Sequence, residues 1–118
     1  MDYKKYLIKK DKCDLLSSLK LLDKNILKEM IEEKNVSNIK ELKEEIIKDF
    51  QLCLSFSKND IFTIKYFSKI LKDENTPNMS IYDDDIENLW AFVYKENNHY
   101  SYYIATEIKK IIKKELGL

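Results

Sequence analysis

Four carboxylates stand within five residues at Asp83, Asp84, Asp85 and Glu87, the densest chemically capable group in the chain. Hard cations take oxygen ligands, so a divalent metal is the first chemistry to weigh. The spacing does not support it, because an EF-hand loop alternates its acids, places Gly at its sixth position and closes on Glu. Helix N-terminal charge is the simpler account, with Asp84 and Glu87 at capping-box spacing. A third account is a docking surface. Residues 73 to 96 hold seven acids against Lys95 alone, beside Tyr82 and Trp90, in a chain of zero net charge. Charges steer an encounter and rings supply buried area. Tyr82, Asp83, Asp84, Asp85, Glu87 and Trp90 are therefore the candidate surface for a basic protein partner, and neither a metal nor a cofactor is expected.

His99 is the only imidazole and falls between Asn98 and Tyr100 at an expected turn. Acid-base work or activation of a nucleophile needs a positioned partner, and the spacing ties no Ser, Cys or carboxylate to it. Phosphate-binding loops, dinucleotide fingerprints and nucleophile elbows all require glycines, and the only glycine is the penultimate Gly117. Cys13 and Cys53 lack the second member of a CxxC pair, so neither zinc nor a disulfide is expected and both read as small core residues. No catalytic residue is assigned. The expected function is that of a non-catalytic binding domain, of inhibitor, immunity or accessory type.

A second reading starts from the lysines. All 21 basic residues are Lys, the usage expected of an AT-rich bacterial or mobile-element genome, and they concentrate at the two ends of the chain. Were the ends to meet, Lys4, Lys5, Lys9, Lys109 and Lys113 would form a patch able to follow a phosphate backbone. Helical spacing sets Tyr102 on the face of Lys109 and Lys113, where its ring would stack on a base. Against this, no Arg is present for bidentate contact with guanine, and lysines in a last helical turn also answer the helix dipole. Residues 26 to 47 resemble a helix-turn-helix only in outline, since Glu41, Glu44 and Glu45 on the outer face would repel phosphate. Nucleic-acid binding is accordingly the alternative.

The elements that must position these groups read as helices. A chain of 118 residues with 44% hydrophobic and 36% charged residues forms one domain, and a single Gly and a single Pro argue against an all-β fold. Asp14, Asp23, Ser37 or Asn38, and Asp60 stand where N-caps are expected before apolar stripes. The stripe after Asn38 runs Ile39, Leu42, Ile46, Phe50, Cys53 and Leu54. The helix after Asp60 is apolar nearly all round, which places it in the middle of a bundle. Thr76-Pro77-Asn78 marks the one long loop.

The stretch from 83 to 118 carries two competing periods. Leu89, Trp90 and Val93, then Tyr100, Tyr103, Ile104, Ile108, Ile111, Ile112 and Leu116, repeat at helical spacing, and Gly117 suits a left-handed C-cap. WAFVY and YSYYI are nevertheless rich in β-formers around Asn97-Asn98. The expected architecture is all-α, a compact bundle of six or seven short helices in one domain, 1–118, closed by a helical hairpin over 84–116. The alternative is α+β with a β-hairpin at about 89–104. No apolar run approaches the ~20 residues of a membrane span, and the start resembles no signal peptide, so a cytoplasmic protein without membrane contact is expected.

Overall fold

The computed structural model describes all 118 residues. It overturns the all-α expectation: six α-helices accompany a two-stranded antiparallel sheet, which is the α+β arrangement. A 3-10 turn at Tyr3–Lys5 precedes α1 (Leu15–Leu21), α2 (Lys24–Glu33), α3 (Ile39–Ser57), α4 (Ile61–Asp73) and α5 (Asp83–Glu87), then β1 (Ala91–Glu96), β2 (His99–Ile104) and α6 (Thr106–Leu116).

The helix starts follow from side-chain chemistry. The carboxylate of Asp14 accepts from Ser17 N–H at 3.0 Å, that of Asp23 from Asn25 N–H at 2.9 Å, and that of Asp60 from Phe62 N–H at 2.9 Å. Asn38 Oδ1 accepts from Glu41 N–H at 2.9 Å, while Glu41 reaches back one residue further than a capping box requires, to Ser37 N–H at 2.7 Å. The bonds to Asp14, Asp23, Asn38 and Asp60 each satisfy an orphan donor of a first turn. Gly117 closes α6 with φ +67°. The expected box at Asp84 and Glu87 does not form; Tyr82 is the N-cap residue of α5 and supplies no side-chain cap bond.

The hairpin defeats the helical period for a physical reason. Asn97 and Asn98 both adopt positive φ, +50° and +65°, the left-handed pair that a two-residue hairpin turn demands. Ala91 through Tyr94 and Ser101 through Ile104 are all buried, so neither strand shows the alternation that would have marked it. Pairing of Phe92 with Tyr103 and of Val93 with Tyr102 sorts the side chains onto two faces. One face carries Phe92, Tyr94 and Tyr103, whose hydroxyl bonds Ser18 of α1. The other carries Ala91, Tyr102 and Ile104, facing Ile70 of α4 and Ile108 and Ile112 of α6. The sheet is thus sandwiched between helices.

The N-terminal segment completes the sheet's edge. Leu7 bridges Val93 in parallel, and Ile8 N–H donates to Val93 carbonyl at 3.0 Å. The central helix is α3, which turns Leu42, Ile46, Phe50 and Leu54 into the core. Two expectations about packing are corrected here. Cys53 is exposed, because it lies on the flank of α3 beyond the core stripe. The first turn of α4 reaches solvent: Ile61 is 57% and Phe62 75% exposed, since nothing packs over the corner that α4 makes with α3. No helix is long and apolar enough to cross a membrane.

Candidate functional site

The acidic stretch is held in place by a tyrosine from another helix. Tyr66, on α4, receives Tyr82 N–H on its hydroxyl oxygen at 2.9 Å and donates its own proton to the Asp85 carboxylate. Its ring stacks on that of Tyr82 with centroids 4.3 Å apart and planes 9° from parallel. One side chain therefore fixes the entry to α5, the orientation of Tyr82 and the position of Asp85. Burial, then the bond to Asp85, pushes the Tyr66 hydroxyl far above its ordinary value, so it stays a donor. Burial likewise raises the Asp85 carboxyl, opposed by the Tyr66 hydrogen bond and aided by Asp84.

This arrangement divides the six residues of the candidate surface. Tyr82 stays 65% exposed despite its stack, and Asp84 and Glu87 are exposed and enter no ion pair. Asp83 is exposed and lies 3.7 Å from the N-terminal amine. Asp85 is only 9% exposed and belongs to the interior, which corrects its place in the docking set. Trp90 is half-buried, its ring edge-on to Phe50 at 4.7 Å, so its main duty is packing.

The fold adds acids that sequence reasoning missed. Glu29 and Glu33 of α2 join Glu87 and Asn88 around a cleft of about 230 Å³ floored by Tyr6, Ile26 and Met30. Burial first, then the fields of Glu87, Glu29 and Glu33, raises the Tyr6 hydroxyl. Lys34, also at the cleft, is committed to Asp49 at 2.9 Å. A signal was present in the chain: Glu29 and Glu33 are like charges at i, i+4 on one helix, a pairing that costs a few tenths of a kcal/mol and asks for a reason.

The lysine patch is assembled only in part. Lys4 and Lys5 lie in the 3-10 turn, Lys9 is exposed, and Lys113 sits in the last turn of α6. Lys109 is occupied by an ion pair with Glu74. Tyr102 is not beside these lysines in solvent: it is fully buried on β2, its hydroxyl donating to Ile70 carbonyl at 2.7 Å. The helical period that placed it outside does not apply to a strand. His99 opens β2, exposed and paired across the hairpin with Glu96. No three His, Cys, Asp or Glu side chains converge at metal-ligand spacing. Comparison with protein-family models, with curated proteins and with solved structures finds no match to this chain.

Proposed function

We propose that this chain is a non-catalytic protein-binding domain that docks an acidic, aromatic edge on a basic partner. The edge comprises Tyr82, Asp83, Asp84 and Glu87, continued across the cleft by Glu29 and Glu33. The observation that carries the reading is Tyr82. A large ring held two-thirds exposed by stacking and by a backbone hydrogen bond has lost its freedom before any partner arrives. Preorganised aromatic anchors are what binding hot spots are made of, since less entropy is lost on association. Asp84 and Glu87, which enter no ion pair, supply with Asp83 the steering field for a partner rich in Lys or Arg.

The test is a pull-down of the tagged chain from lysate of its own host, with and without nuclease, followed by titration of the recovered partner with purified variants. Tyr82→Ala and the pair Asp84→Asn/Glu87→Gln are each expected to weaken binding at least about tenfold, the range of hot-spot truncations. The loss in the charge variant should shrink as salt rises, because the contribution is electrostatic. A nuclease-resistant partner whose affinity ignores both variants would overturn the assigned surface. Recovery abolished by nuclease would transfer the function to nucleic acid and the lysines.

A further inference from the structure

The corner between α3 and α4 exposes Leu52, Phe56, Ile61 and Phe62, with Phe56 at 84% and Phe62 at 75%. Together with the exposed part of Tyr82 these side chains offer on the order of 500 Å² of apolar surface, as large as the main patch of a typical monomer. Phe62 and Tyr66 stand one turn apart on α4, and Tyr82 stacks on Tyr66, so helical spacing sets the three rings along one ridge.

The charges beside this ridge are arranged with opposite sign on its two sides. Helical spacing sets Lys65 and Lys69 along the outer side of Phe62. The other side, where Tyr66 lies, carries Tyr82 stacked on it and, next in the chain, the exposed Asp83 and Asp84, of which Asp83 also lies 3.7 Å from the N-terminal amine. Lys65 and Lys69 are exposed and enter no ion pair, in contrast to Lys58, which reaches Glu115 at 3.6 Å. A surface that is apolar along its centre, positive on one side and negative on the other is complementary to itself after a half-turn.

We propose that the α4 ridge pairs with the same ridge of a second copy of this chain, forming a two-fold dimer in which Lys65 and Lys69 of one protomer face Asp83 and Asp84 of its partner. A two-fold contact repeats each such pair twice, so both protomers match all their charges at once. The area removed, about 1,000 Å² in total, is at the low end for a specific interface and fits a reversible dimer. The pairing covers Tyr82, Asp83 and Asp84 but not Glu29 or Glu33. Self-association and docking of a basic partner would therefore compete for the same ring, although the dimer does not depend on the docking reading.

Sedimentation equilibrium tests this with the full chain at concentrations up to about 200 µM, above the micromolar Kd expected for so small an interface. The wild type should approach twice the monomer mass, and Phe62→Ser should sediment as a monomer. Lys65→Glu/Lys69→Glu and Asp83→Lys/Asp84→Lys should each be monomeric alone, because each sets like charges opposite one another. An equimolar mixture of the two should recover the dimer, since the swapped charges again oppose. All five positions are exposed, and circular dichroism checks that each variant keeps its fold. A wild type of monomer mass throughout, or charge variants that fail to recombine, would overturn the proposal. Loss of the dimer with partner docking intact would leave the docking reading standing, and the reverse result would leave the dimer.

Discussion

Tyr66 is the residue on which the acidic edge depends, because its hydroxyl serves two bonds at once. Tyr66→Phe removes the donor to a carboxylate that has little access to water, and leaves Tyr82 N–H without its acceptor. A buried group deprived of its partner costs about 1–3 kcal/mol. The variant should lose stability in that range in urea unfolding, and Tyr82 should become more mobile. Asp85 adds a dependence on pH. Its carboxyl is raised in the folded state, so the fold holds a proton under conditions where the unfolded chain has released it. The stability from this group is thus full below the unfolded value of about 3.9 and is lost as pH rises through the folded one. Asp85→Asn cannot titrate. On acidification from about pH 7 to about pH 4.5, the wild type should gain stability relative to Asp85→Asn, as measured by urea midpoints.

Among the elements, the hairpin was the least legible in sequence, and its stop and turn signals explain why. Leu89 adopts φ +62° and ends α5 where a helix normally ends on Gly. A leucine there announces no stop, so in the sequence the apolar period runs on from Ile86 into Val93. The left-handed conformation is costly for a branched residue, and it is offset here by complete burial of the side chain. Asn97-Asn98 is a weaker turn signal than Asn-Gly, although the conformation is the one Asn-Gly prefers. Asn98→Gly should therefore raise stability by up to about 1 kcal/mol, seen as a higher Tm, whereas Asn98→Val should lower it. By contrast, the helix N-caps at Asp14, Asp23 and Asp60 are readable, and that of α3 to within Ser37 or Asn38, because each is a local bond between neighbours in sequence. The edge was half-readable for the same reason. Exposed Tyr82, Asp84 and Glu87 are contiguous, while Glu29 and Glu33 arrive only through tertiary packing.

At the scale of the whole molecule, the chain's beginning and end secure one another. Besides the Leu7 bridge to Val93, Leu15 N–H donates to Glu107 Oε1 at 2.9 Å and Thr106 N–H to Cys13 carbonyl at 3.0 Å. A chain lacking residues 1–8 should expose the Val93 side of β1, an unpaired strand edge next to apolar surface. Such a truncation is expected to melt at lower temperature and to scatter light on heating, with the loss of the Ile8 side chain alone contributing a few kcal/mol.

The Glu107 carboxylate that completes the first turn of α1 is 92 residues away from the amide it receives. The first helix is therefore finished by a residue made long after it. During synthesis the Leu15 amide lacks this acceptor until residue 107 has cleared the ribosome, although α1 can already pack on α3. Loop closure over that span precedes any reward from the contact, so this bond is expected to be among the last to form. Leu15 and Leu19, fully buried in the folded chain, are open to a holding chaperone until α3 has emerged to cover them.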